Sequence, residues 1–234
     1  MSAGNPLYDD PELAAAYARV SAANVANAAY ERPAVRALLG DVRALDVLDA
    51  GCAAGEHAAW LAGHGARVVA LDASEPMVRL ARERVGERAR VMRADLAAPL
   101  PFAGAAFDAV LSSLTLHYLA DWAAPLRELA RVLRPGGRLV LSTHHPYLTL
   151  DLVEDYHAVQ LVREAWSGFG DEPVAMQFYH RPLQRIVNDV VAAGFVLHGL
   201  HEPQPVSDAG EGGAALAERF RTRPGFLIVD ARRR

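Results

Sequence analysis

Asp46-Val-Leu-Asp-Ala-Gly-Cys-Ala-Ala-Gly55 decides the fold. An apolar run ends in an acid, Asp49, and then in a turn of small residues. A helix-like stretch, Glu56 to Leu61, follows at once. Gly51 and Gly55 let the backbone turn tightly and approach a ligand without a Cβ in the way. The helix that starts here aims its free N–H groups and positive dipole end over the turn. The segment reads as the strand–turn–helix unit of a nucleotide-type site.

Two cofactor classes use such a turn. Dinucleotide enzymes carry G-x-G-x-x-G with a pyrophosphate on the helix N-terminus. Here the spacing is G-x-A-x-G, and Glu56 stands where the third glycine would be. A glutamate beside a diphosphate is repulsive, whereas Asp49 suits a ligand carrying an ammonium group. S-adenosylmethionine has such a group, a sulfonium and no phosphate. Val47-Leu-Asp-Ala-Gly-Cys-Ala-Ala-Gly55 resembles motif I of the class I S-adenosylmethionine-dependent methyltransferases, (V/L)LD(L/V/A)GCGxG, with Ala53 in place of the middle glycine.

The resemblance implies an α/β fold. Its form is a Rossmann-like, doubly wound seven-stranded sheet, mostly parallel with the last strand antiparallel, under a helical N-terminal cap. The 234 residues are then one methyltransferase domain. Residues 1–44 form the cap, 45–143 the cofactor-binding core, 144–181 an insertion or lid for the acceptor, and 182–234 the end of the sheet. The cofactor is S-adenosylmethionine, and the reaction is in-line methyl transfer to O, N or C of a small molecule.

Further motifs extend the match. The strand Ala66–Leu71 closes in Asp72, 21 residues after Gly51. A carboxylate there can accept both ribose hydroxyls of an adenosine, in nicotinamide enzymes as in methyltransferases. Ala73 follows, Ser74 caps the next helix, and Met77 falls on the adenine side. A third strand, Ala89–Arg93, leads to Asp95 and Leu96, which the family pattern assigns to the adenine amine and ring. L-P-F-x-x-x-x-F-D, residues 100–108, opens a fourth strand, Phe107–Leu111, that emerges at Ser112-Ser113. Leu114 to Trp122 resembles the following family segment, L-x-x-H-x-x-x-D, with His117 as its histidine. Leu133-Arg-Pro-Gly-Gly137 is a helix-to-strand turn before a fifth strand, Arg138–Ser142. With Tyr17 from the cap, the cofactor set is Tyr17, Asp49, Gly51, Ala53, Gly55, Asp72, Ala73, Met77, Asp95, Leu96, Ser112 and His117.

The cap reads as one helix over Pro11–Ala29 and another over Pro33–Leu39. Tyr8, Tyr17, Tyr30 and Arg32 are its polar-tipped candidates. Residues 143–181 are irregular and rich in aromatics and histidine. Long insertions in compact domains are usually functional or mobile. Tyr30, His145, Tyr147, Trp166, Phe178 and His180 are accordingly the candidates for acceptor binding. A helix over Leu183–Ala193 and strands over Phe195–Leu200 and Gly225–Val229 complete the sheet, with a loop at 201–213 and a short helix, Ala214–Phe220, between them. His117 and His144 fall at the ligand edge and are the candidate general bases, since an ordinary imidazole can take a proton near neutral pH. His57 and His64 have no cysteine or acid at ligand spacing, and the adjacent His144 and His145 would point to opposite faces of a strand, so no metal is expected.

Composition sets the outer bounds. Net charge is −4 and apolar residues make up 52%, which suits a globular chain without a nucleic-acid footprint. A single cysteine, Cys52, fits a reducing cytoplasm. No apolar run reaches membrane-spanning length, so the expected partner is a small acceptor, with neither nucleic acid nor membrane. Two alternatives share the turn. One is an NAD(P)-dependent oxidoreductase, although the chain lacks lysine and so any Tyr-x-x-x-Lys pair. The other is a protein of this fold that binds the cofactor without transferring its methyl group.

Overall fold

A computed structural model describes residues 5–206 and 213–234. Pro6–Asp9 (α1) and Pro11–Ala23 (α2) open the cap, and Asp10 caps α2 by accepting from the N–H groups of Glu12 and Leu13. The helix expected over Pro11–Ala29 is interrupted. Asn24 adopts ψ 152°, breaks α2, and caps a π-helix, Val25–Glu31, through its side chain. A polar side chain that bonds its own backbone competes with helix continuation, which the alanine-rich pattern hides. Arg32–Leu39 (α3) follows without a gap.

The core alternates as expected: Asp46–Ala50 (β1), Glu56–Gly63 (α4), Arg67–Asp72 (β2), Glu75–Val85 (α5), Ala89–Arg93 (β3), Phe107–Ser112 (β4), Ala123–Val132 (α6) and Leu133–His144 (β5). Gln160–Trp166 (β6) and Val174–His180 (β7) form a separate antiparallel hairpin. Leu183–Ala192 (α7), Phe195–His201 (β8), Ala214–Thr222 (α8) and Phe226–Arg233 (β9) close the chain. The expected loop at 201–213 lies partly outside the described residues.

The main sheet has seven strands in the order β3-β2-β1-β4-β5-β9-β8. All neighbours are parallel except at β9, which runs antiparallel to both β5 and β8. Strand order reverses between β1 and β4, the switch point at which open α/β sheets bind ligands. β1 is buried along almost its whole length, as a strand covered by helices on both faces must be. One apolar layer joins β1, β4 and β5 to α6 and α7; the other joins the sheet to α3, α4 and α5. Among the described residues no helix is long and apolar enough to cross a membrane.

The cap and the insertion meet. Leu7 of α1 is fully buried against Val174 and Met176 of β7. Asn5 bonds the backbone of Gln177 in both directions, at 3.0 and 2.9 Å.

Candidate active site

A cavity lies over the carboxyl ends of β1, β2, β3 and β4, roofed by the cap. Its floor is the turn after β1. Gly51 has φ +88°, and a Cβ there would sit 2.2 Å from the Thr115 side chain. Gly55 has φ +80°, and its Cβ would meet Ala81 of α5 at 3.1 Å. Only glycine satisfies both demands. Ala53 also sits at positive φ, 45°, a conformation that costs a non-glycine residue roughly 1–2 kcal/mol. Its N–H donates to Asp72 Oδ2 at 2.9 Å, which ties the turn to β2.

Asp49, Asp72 and Asp95 are among the acids that border the cavity. Asp49 is 1% exposed, and neither carboxylate oxygen accepts a hydrogen bond from the described residues. Burial pushes its carboxyl up to about 6, although His57 nearby pulls the other way. A buried anion without partners is costly and calls for a cation. Asp72 accepts from Ala53 and Ser74 N–H groups, and burial still holds its carboxyl above the usual range. Asp95 accepts from the N–H of Ala97. Leu96 and Met77, both buried, supply apolar wall between these acids.

The cap supplies the roof. The Ser74 hydroxyl donates to the Tyr8 carbonyl at 2.6 Å, and the Tyr8 and Tyr118 hydroxyls share a bond of 2.5 Å. Tyr17 packs edge-on against Tyr8 and borders the cavity. Deeper in, the π-helix presents Glu31, 1% exposed. Ser113 and Ser142 donate to its Oε1, and His57 Nε2 lies 3.6 Å from its Oε2. Burial alone would raise this carboxyl, but His57 and the two serines together hold it below the ordinary glutamate value.

Of the residues expected at the cofactor, Tyr17, Asp49, Gly51, Ala53, Asp72, Ala73, Met77, Asp95 and Leu96 come together along this cavity. Gly55 shapes the turn beneath it. Ser112 does not reach it: side chains alternate along a strand, so Ser112 is wholly buried, and its neighbour Ser113 faces the cavity. His117 is also turned away. The short 3₁₀ turn Leu116–Tyr118 aims Tyr118 at the cavity and His117 into an aromatic cluster with His144 and Phe178. Neither histidine borders the cavity. Burial drives both below the ordinary imidazole range, His144 to about 4.

The expected acceptor residues stand elsewhere too. Tyr30 is fully buried, and its hydroxyl accepts from the N–H groups of Gly225 and Phe226. His145 Nδ1 accepts from Tyr147 N–H, its Nε2 pairs with Glu202 at 2.9 Å, and Tyr147 is exposed. Trp166 Nε1 donates to Glu164. Phe178 packs under His144, and His180 bonds Thr149 and the Tyr156 carbonyl. The aromatic insertion is therefore a buttress for α1 and the His117–His144 pair. Apart from the exposed Tyr147, the side chains named above are taken up in packing or hydrogen bonds, and none of them lines the cavity. Glu31, His57, Ser113 and Thr115 border the cavity instead. The one trace of the first in the sequence is a Glu31-Arg32 pair inside an alanine-rich cap. Among the described residues no cluster of three or more metal-ligating side chains occurs.

Known proteins resemble the chain in sequence and in fold. A family described as a methyltransferase domain matches residues 48–141. The malonyl-[acyl-carrier protein] O-methyltransferase of Pseudescherichia vulneris is 34% identical over 193 residues, covering 74% of this chain and 75% of that protein. The demethylmenaquinone methyltransferase of Clavibacter sepedonicus is 38% identical over 133 residues, 56% of this chain and 54% of its own length. The chain thus spans about half of that second relative. The crystal structure of an S-adenosylmethionine-dependent methyltransferase from Mesorhizobium loti superposes with a TM-score of 0.74 at 33% identity, covering 87% of this chain and 97% of that one.

Proposed function

The chain belongs to the class I S-adenosylmethionine-dependent methyltransferases, and on that premise we propose that it methylates a small molecule held under the N-terminal cap. The observation that carries this reading is Asp49, a buried carboxylate with no hydrogen-bond partner among the described residues, on one cavity with Asp72 and Asp95. That set suits a ligand with an ammonium at one end, a ribose in the middle and an adenine at the other. A diphosphate would meet three acids and Glu56, which counts against the nicotinamide alternative.

The cofactor supplies an activated methyl group on a positively charged sulfur, whose departure leaves a neutral thioether. Little covalent chemistry is left for the protein, and positioning and exclusion of water carry the rate. Asp49 and the backbone of the Gly51–Gly55 turn would hold the amino-acid end. Asp72 would hold the ribose, and Asp95, Leu96 and Met77 the base. Tyr8, Tyr17 and Tyr118 close the roof against solvent. A general base is optional here, and Glu31, already accepting from Ser113 and Ser142 and facing His57, is a weak one. His117 and His144 lack access for that role.

Calorimetric titration with S-adenosylmethionine, S-adenosylhomocysteine and NADH tests the cofactor. Micromolar binding of the two adenosyl sulfur compounds without NADH binding is expected. Labelled methyl transfer over an acceptor panel tests turnover. Tight cofactor binding with no transfer to any acceptor would reduce the protein to a binding fold.

A further inference from the structure

The cavity is acidic. Asp9, Glu31, Asp49, Glu56, Asp72 and Asp95 all border it, and Arg32 is the one arginine in its lining among the described residues. Arg32 is 8% exposed, yet its guanidinium makes a single long bond, 3.4 Å from Nη1 to the Ala22 carbonyl, and pairs with no carboxylate among the described residues. Its chain neighbour does not neutralise it, because Glu31 is committed to Ser113, Ser142 and His57. The π-helix explains the placement. The Arg32 N–H reaches back to the Asn27 carbonyl, and this wider turn ends at the cavity wall. A second guanidinium, Arg36, lies close by, and burial and then Arg32 lower its affinity for a proton. Arg32, nine-tenths buried beside a second cation and bonded once, has four of its five planar N–H donors without an acceptor among the described residues.

Building on the methyltransferase reading, we infer that Arg32 is the receptor of a carboxylate inside this cavity. The carboxylate comes from the amino-acid tail of the cofactor or from an acidic acceptor. A guanidinium suits either through paired N–H···O bonds, which a point-charge lysine cannot reproduce.

Calorimetry on Arg32→Gln and Arg32→Lys separates the two sources. The probes are S-adenosylhomocysteine, 5′-methylthioadenosine (which has no amino-acid tail), and benzoate against neutral benzamide on S-adenosylhomocysteine-loaded protein. If the tail is the ligand, Arg32→Gln loses about ten- to a hundredfold in S-adenosylhomocysteine affinity and keeps its methylthioadenosine affinity. If an acceptor is the ligand, cofactor affinities hold and the preference for benzoate over benzamide disappears. Arg32→Lys, which retains the charge, falls between wild type and glutamine and serves alone if the glutamine variant does not fold. Wild-type affinities for all probes in both variants, including no benzoate binding anywhere, overturn the assignment. Failure of the wild type to bind any adenosyl compound is a different result, and it removes the methyltransferase reading itself.

Discussion

The imidazoles of His117 and His144 stack 4.0 Å apart at an interplanar angle of 14°, with the edge of Phe178 against His144. Among the described residues neither nitrogen of His117 has a hydrogen-bond partner, nor does Nδ1 of His144. Stacked cations in a buried aromatic cluster would repel each other, so both rings stay neutral. The folded pKa of His144, about 4, lies below the ordinary 6.5. The folded protein therefore refuses a proton that the unfolded chain accepts. Stability is lost as pH falls from about 6.5 toward 4, by on the order of 3 kcal/mol for His144 alone. Asp49 and Asp72, raised by burial, act in the opposite sense. The clean observable is thus the difference between wild type and His144→Phe. Urea denaturation from pH 7.5 to 4.5 should show the variant gaining on the wild type as pH falls. Parallel curves would contradict the neutral pair.

Asp49 couples cofactor binding to protons. Its carboxyl is held at about 6 by burial, and an ammonium beside it favours the ionised form. Below pH 6 the protein must release a proton to bind the cation. Affinity for S-adenosylmethionine should then fall by up to about tenfold per pH unit. Titration in buffers of different ionisation enthalpy at pH 5.5 should report that released proton. Asp49→Asn should bind more weakly and lose the pH dependence; an unchanged profile would place the ammonium elsewhere.

The parts of the site legible in the sequence are those fixed by local geometry. Gly51 and Gly55 are required by the backbone within one turn, and Asp72 and Asp95 stand where parallel strands end at a common edge. The parts that were hidden depend on contacts far apart in the chain. His117 and His144 are 27 residues apart in sequence and meet because β4 and β5 are neighbours in the sheet, with Phe178 of β7 packed against both. Tyr30 looked like a pocket tyrosine, yet a backbone 195 residues away takes its hydroxyl. Glu31 and Arg32 reach the cavity through a π-turn that follows an interruption at Asn24, where composition alone favours an unbroken helix.

Asp72 has two duties that substitution can separate. One is to accept the N–H groups of Ala53 and Ser74, each at 2.9 Å. The other is to face the cavity with a carboxylate. Asp72→Ala removes both, and S-adenosylmethionine affinity should drop at least about tenfold, with a stability loss of about 1–3 kcal/mol for the stranded donors. Asp72→Asn keeps one acceptor oxygen and should recover part of the stability without recovering affinity. An Asp72→Ala protein that binds as tightly as wild type would take Asp72 out of the site.

The turn itself makes opposite demands at two neighbouring positions. At Gly51 a methyl group would lie 2.2 Å from both Thr115 Cγ2 and Oγ1, at φ +88°. Thr115 cannot yield easily, since its hydroxyl donates to the Gly51 and Ser113 carbonyls. Gly51→Ala should therefore destabilise the protein by more than the roughly 1–2 kcal/mol that strain at positive φ costs alone, and cofactor binding should be lost with it. Ala53 already bears such a strain at φ 45°. Ala53→Gly removes it, while the unfolded chain gains freedom that offsets part of the benefit. Thermal denaturation should place Ala53→Gly at or slightly above wild type and Gly51→Ala well below it. Paired with cofactor titration, the two variants form a test. If Ala53→Gly weakened S-adenosylmethionine binding more than Gly51→Ala did, the Ala53 methyl would be a contact the cofactor needs, and the turn would have to be read as shaped for that methyl.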